Sequence, residues 1–200
     1  MTADDLRRSP LAGVSGAFPA AGGAVSLREL PFPAQFSFRF RDAPLLSAPG
    51  SGPGGPGSDP GPVPGPGRFT RIGERLDALR LGPDEWLVVG PDGAQGAIRD
   101  LLEPVLDPEY GSLVDVSANR TVLELAGPAA RSVLEKGCSI DLHPRVFPPG
   151  SCVQTLLSKV QVILRRTIVA PGPAYQLFVR PSFADYLARW LLDAMAEYTG

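Results

Sequence analysis

The sharpest periodicity in the chain lies between Gln35 and Arg41, where Phe36, Phe38 and Phe40 alternate with Ser37, Arg39 and Arg41. A period of two places the three rings on one face of a half-buried strand. Val25 to Glu29 forms a weaker strand ahead of it, and Pro31 and Pro33 punctuate the join. Leu76 to Leu81 leads through Gly82-Pro83-Asp84 into Glu85 to Val89, and a turn sequence between two apolar runs predicts a hairpin. Leu113 to Val116, Thr121 to Leu125, Cys152 to Leu157, Val160 to Arg165 and Tyr175 to Val179 complete the expected strands.

Helical spacing occupies three places. Residues 93–106 carry Ile98, Leu101 and Leu102 on one side before Pro104 interrupts. Gly127-Pro128 opens a short second helix, faced by Ala130, Val133 and Leu134, with Gly137 as its left-handed stop. In the last helix Phe183, Tyr186, Leu187, Trp190, Leu191, Ala194, Met195 and Tyr198 recur at alternating steps of three and four, the stripe of a core-facing amphipathic helix. Ser182 is placed to cap it, with Asp185 completing an acidic capping box. Strands and helices alternate in no strict βαβ rhythm, which predicts an α+β fold built on a largely antiparallel mixed sheet with packed helices.

One segment fits neither pattern. Ser47 to Gly67 holds 8 Gly and 7 Pro among 21 residues. It cannot supply a helix, a central strand or a core, and predicts a disordered insertion between strands rather than a Pro-binding motif, since aromatic and basic anchors are missing. The remainder of residues 1–200 is expected to form a single domain.

Charge and composition exclude several classes. Residues 1–100 carry 10 basic and 11 acidic side chains and residues 101–200 carry 9 and 10, so neither half has the basic footprint that nucleic acid or anionic lipid requires. No apolar run approaches a membrane span, and Asp4 and Asp5 stand where a signal peptide needs positive charge. The expectation is a soluble cytoplasmic protein with no nucleic-acid or membrane partner.

Candidate chemistry is sparse. His143 is the single histidine and Cys138 and Cys152 are the only cysteines, which rules out a multi-histidine or four-thiolate metal site within the chain. The densest cluster is Gly137 to Pro144, with Cys138, Asp141 and His143 close in sequence. Cys138 follows a helix at the end where the macrodipole raises a thiol pKa, so it reads as a structural cysteine, and Cys152 in an apolar strand reads the same way. No phosphate-binding or dinucleotide glycine motif is present. Ser151 to Arg166 contains no Asp or Glu and so offers no carboxylate for acid–base work.

Residues 114–141 (VDVSANRTVLELAGPAARSVLEKGCSID) resemble the D-V-S…L…G-x-x-A-x-x-x-L pattern of the folate-binding aminomethyltransferases of the glycine cleavage system. With PFPAQFSFRFR, LGPDEWLVV, GCSIDLHPRVFPPGSCVQTLLSKVQVIL and VRPSFADYLARWLLDA, nearly the whole chain outside 47–67 resembles the gamma subunits of heterotetrameric sarcosine oxidases. That resemblance implies the folate-binding-domain fold and a place in a complex that converts sarcosine, O2 and tetrahydrofolate to glycine, H2O2 and 5,10-methylenetetrahydrofolate. It implies FAD and FMN on a beta subunit, NAD on an alpha subunit and zinc on a delta subunit. Gamma itself is implied to hold no cofactor, no metal and no catalytic residue, and to pack most directly on alpha.

Active aminomethyltransferase-like proteins place a functional aspartate in the region matching Ser151 to Arg166, and its absence here is what the resemblance to a structural relative implies. Asp115 and Asp141 match other family positions and are expected to hydrogen-bond turns and helix ends. Trp86, His143, Phe147, Gln154, Arg180 and Phe183 are the candidates for contacting a partner or shaping that face, aromatic and Arg residues being the common anchors of interfaces. The alternatives are a free-standing folate-binding protein of one-carbon transfer, or a scaffold for an unrelated partner.

Overall fold

The computed structural model describes residues 7–19, 23–40, 65–106, 109–169 and 172–199. Most of the Gly/Pro-rich segment 47–67 therefore lies outside the described residues. In chain order the strands and helices are β1 (Ser26–Leu30), β2 (Ala34–Arg39), β3 (Arg68–Ile72), β4 (Leu76–Arg80), β5 (Glu85–Gly90), α1 (Gln95–Leu102), β6 (Ser112–Asp115) and β7 (Thr121–Ala126). There follow α2 (Ala130–Glu135), β8 (Cys152–Leu157), β9 (Val160–Val169), β10 (Gly172–Val179) and α3 (Pro181–Met195). They divide into two compact units: Met1–Pro31, Asn119–Pro149 and Gln154–Gly200 form the first, and Phe32–Ala118 with Gly150–Val153 the second.

The first unit is built on a five-stranded sheet of order β1-β7-β10-β9-β8. β1 pairs antiparallel with β7, β7 with β10, and β10 with β9. Leu123, Leu125, Leu164 and Leu177 are fully buried, as are Leu187, Ala188 and Leu191 of α3 and Val133 and Leu134 of α2. Each such leucine taken out of water contributes about 2 kcal/mol.

Two glycines allow close packing here. Gly127 has φ +120 where β7 turns toward α2, and a Cβ there would stand 2.6 Å from the Ala24 carbonyl oxygen. Gly137 does not adopt the left-handed conformation expected of a helix stop. Its role is steric instead, because a Cβ would lie 2.6 Å from Cζ2 of Trp190 on α3. Beside it, Lys136 donates from Nζ to the Ala194 carbonyl at 2.6 Å, pairs with Glu197, and sits 5.0 Å from the Tyr198 ring centroid. A lysine that ends α2 thus caps the C-terminus of α3, where the helix dipole favours a cation.

The second unit is a five-stranded sheet of order β3-β4-β5-β2-β6, antiparallel throughout. The phenylalanine alternation of β2 is realised: Phe36 and Phe38 are buried with Ala34, Ala78, Trp86, Val88, Ile98 and Leu102, and Phe40 packs against this cluster. β4 and β5 form the expected hairpin, while the predicted helix 93–106 is α1 followed by a 3-10 turn at Glu103–Val105, where Pro104 enters. β3 was not foreseen in the sequence pattern. All assigned pairings with a defined register are antiparallel, as the α+β expectation required.

α3 departs from its sequence reading in two ways. Pro181 occupies the first turn and Arg180 the N-cap position, with no side-chain cap, so Ser182 lies inside the helix. Proline needs no N–H partner there, so it supplies the start without a capping box. Asp185 pairs instead with Arg189 one turn later. The buried face is Ala184, Leu187, Ala188, Leu191, Ala194 and Met195, which leaves Phe183 and Tyr186 exposed. Small alanines let the helix approach the sheet closely, and the bulkier rings are turned out.

Candidate functional site

A row of polar side chains crosses the first sheet at one level. Arg28 is opposite Glu124, Glu124 opposite Gln176, and Gln176 opposite Arg165. Glu124 accepts from Arg28 Nε at 2.6 Å through one oxygen and from Gln176 Nε2 at 2.8 Å through the other. Gln176 Oε1 in turn accepts from Arg165 Nε at 2.7 Å. Glu124, Gln176 and Arg165 are all buried, and the Arg165 guanidinium lies 5.6 Å from the Phe178 ring centroid. Both carboxylate oxygens are thus engaged, so the row fixes strand register.

These residues escaped the sequence reading. Their signal was a lone Glu between leucines in TVLEL, a Gln inside YQLFV and an Arg closing VILR. A polar residue within an otherwise apolar strand needs a partner at the same level on the next strand.

The residues singled out from the sequence are scattered. Trp86 is in the core of the second unit, opposite Phe38, with the Arg80 guanidinium 5.2 Å from its ring centroid. Phe147 is buried in the first unit, and its carbonyl accepts from Arg166 at 2.7 Å. His143, Gln154 and Arg180 are exposed, and Phe183 is 49% exposed. His143 Nδ1 accepts from the Arg145 backbone N–H at 3.2 Å, and Asp141 accepts from the His143 backbone N–H at 2.7 Å. Asp115 accepts from the backbone N–H and hydroxyl of Ser117. Both aspartates therefore make the local turn bonds expected of them.

Cys138 is half-buried and Cys152 buried, both as free thiols. Burial pushes the Cys138 thiol above its ordinary value, against hydrogen bonds from the Ile140 and Ser139 backbone. That is the opposite of what an activated nucleophile needs. Tyr175 is also pushed up by burial, with Arg166 and Arg131 opposing. Its hydroxyl is buried with no hydrogen-bond partner among the described residues. No group of three His, Cys, Asp or Glu side chains among the described residues is arranged to hold a metal ion, and none of the described helices is long and apolar enough to cross a membrane.

Comparison with known proteins gives this geometry a lineage. Residues 70–197 match the model of the sarcosine oxidase gamma subunit family. The gamma subunit of sarcosine oxidase from Corynebacterium sp. (strain P-1) is 38% identical over 198 residues, covering 96% of this chain and 92% of its own length. That from Arthrobacter sp. is 37% identical over the same share of both. Among solved structures, a chain of the heterotetrameric sarcosine oxidase from Corynebacterium sp. U-96, in complex with pyrrole 2-carboxylate, superposes with a TM-score of 0.79 at 35% identity, covering 98% of this chain and 97% of that one. The glycine cleavage system aminomethyltransferase T from Bartonella henselae shares the fold at a TM-score of 0.68 and 15% identity, over 94% of this chain and 57% of its own. On the strength of the end-to-end identity to its relatives, this chain belongs to the sarcosine oxidase gamma subunit family.

Proposed function

We propose that this chain is a non-catalytic gamma subunit that supports assembly of a heterotetrameric sarcosine oxidase, with the whole chain acting as one module. The complex would oxidatively demethylate sarcosine with O2, passing the one-carbon unit to tetrahydrofolate and releasing glycine and H2O2. FAD, FMN, NAD and zinc belong, in this reading, to the alpha, beta and delta subunits, and alpha is the most direct partner. The observation that carries it is the 38% identity to a named gamma subunit over 96% of the chain. The acid-free stretch Ser151 to Arg166, which forms β8 and the first part of β9, supports a role without acid–base catalysis. His143, Gln154, Arg180 and Phe183 are the accessible candidates for subunit contact, with Trp86 and Phe147 shaping the surface from beneath.

The test is co-expression with the candidate alpha, beta and delta chains, followed by size-exclusion chromatography with flavin absorbance recorded. Co-elution in a yellow complex that forms peroxide from sarcosine is the expected result, and the chain alone should be colourless and inactive. A stable lone chain that binds tetrahydrofolate and joins no complex would overturn the proposal in favour of a free-standing folate protein.

A further inference from the structure

A sheet has two edges, and each edge shows a row of backbone N–H and C=O groups that some segment must satisfy or water must cover. Three of the four edges here bond to another segment of the chain at one or more residues. Along β1, the Leu27 N–H donates to the Pro19 carbonyl. Along β8, Leu157 bridges to Cys138, the Ser139 N–H donates to the Leu156 carbonyl, and the Ser158 N–H to that of Gly137. Along β3, Arg68 bridges to Ser151, the Phe69 N–H donates to the Gly150 carbonyl at 2.9 Å, and the Cys152 N–H to that of Gly67 at 2.9 Å.

β6 is the exception: β2 lies on one side of it, and no other segment pairs with it among the described residues. The Val116 N–H donates to the Gln35 carbonyl at 2.8 Å, which fixes the phase of the antiparallel ladder. Alternation then directs the N–H and C=O of Ser112 and Val114 toward β2, and those of Leu113 and Asp115 outward. β6 is short, which is one protection of an edge, but the chemical protections are missing. Ser112 to Val116 contains no Lys and no Pro, and its register with β2 runs without a bulge. The Asp115 carboxylate, its one charge, is bonded back to Ser117.

A second observation falls on the same place. Among the described residues of this unit, the large exposed hydrophobic side chains are Tyr110 at 72% and Val114 at 52%, one just before β6 and one within it. A bare pair of outward peptide groups flanked by apolar side chains is the pattern that an added strand recognises, with main-chain bonds giving affinity and alternate side chains giving specificity.

We propose that β6 is extended by a strand from another subunit of the assembly, whose backbone pairs with Leu113 and Asp115 and which carries an apolar residue opposite Val114. This rests on the gamma-subunit reading, which supplies the partner.

The test is single-amide hydrogen exchange, by mass spectrometry with electron-transfer fragmentation, on the full chain alone and in the co-expressed complex. In the lone chain the outward amides of Leu113 and Asp115 should exchange freely, and in the complex they should slow by about tenfold or more. Those of Val114 and Val116, already facing β2, should change little. Val114→Lys, at an exposed position, should leave the melting temperature of the lone chain unchanged and weaken assembly by about tenfold or more.

Unchanged exchange at Leu113 and Asp115 within an intact wild-type complex would overturn the edge proposal and leave the subunit reading standing. Protection already present in the lone monomer would mean that the chain covers its own edge. A lone chain that is dimeric until Val114→Lys makes it monomeric would assign the edge to a second copy. Failure of the wild-type chain to join any complex would remove the subunit reading and this proposal together.

Discussion

In the first unit both sheet edges bond to other segments of the chain, and a polar row crosses the sheet at one level from exposed Arg28 to buried Glu124, Gln176 and Arg165. In the second unit one edge is closed, the cluster beneath α1 is aromatic and aliphatic, and β6 has no partner beyond β2 among the described residues. The polar row of the first sheet is satisfied by its own members, so lesions in it should register as lost stability. At β6 the second is complete only on one side, so lesions there should register in assembly.

Glu124→Ala should break that contrast most severely. It leaves the buried Gln176 amide without its acceptor and Arg28 without its carboxylate, and removing one member of a buried charged network costs about 3 kcal/mol. Glu124→Gln, which keeps the shape, should cost less. Urea denaturation of the lone chain measures both. Gly137→Ala comes next, at about 2 kcal/mol, because a new methyl against Trp190 forces a ring to move in a packed core. Tryptophan fluorescence should shift with it.

Lys136→Met should cost about 1 kcal/mol by uncapping α3 while keeping most of the aliphatic stem. The effect should appear as faster exchange of the last amides of α3.

Tyr175→Phe sharpens the comparison with the opposite sign. It removes a buried hydroxyl that has no hydrogen-bond partner among the described residues, so it should stabilise the chain by about 1 kcal/mol at neutral pH. It should also flatten the alkaline limb of the stability profile. Cys138 and Tyr175 both hold their protons more tightly folded than at their ordinary values of 9.0 and 10.0. The unfolded chain therefore loses those protons first as pH rises. Their contribution is fully present below pH 9.0 and is lost as pH climbs through the raised folded values. Melting temperatures measured from pH 7 upward should fall above that point, and Cys138→Ala with Tyr175→Phe should weaken the fall.

How legible the fold was depends on how local each cause is. β2, β5 and β9 announce themselves by alternation or continuous apolar runs, because the signal sits in neighbouring residues. β3, RFTRI, has three polar residues in five and becomes a strand through its pairing with β4 and with residues 150–152. On α3 the period was plain but the buried face was misplaced, since hydrophobicity favours Phe183 and Tyr186 over Ala184 and Ala188, while close packing on a sheet favours the alanines. The polar row was illegible for a different reason: Glu124 and Gln176 are 52 residues apart and meet only once the register of β7 and β10 is set. The free edge of β6 was invisible for the same reason, because an edge is a property of what lies beside a strand.

The pairing of β1 with β7 bears on how the chain is made. Ser26 and Ala126, which face each other in that ladder, are separated by 100 residues. At ordinary rates of synthesis, β1 leaves the ribosome roughly 5–20 s before its partner exists. During that interval β1 has no β7 to pair with, and the first sheet cannot close in the order in which its strands are translated. The second unit has β2 to β6 in hand before β7 emerges, so it is the part able to fold first, with its β6 edge formed while the first sheet is still open.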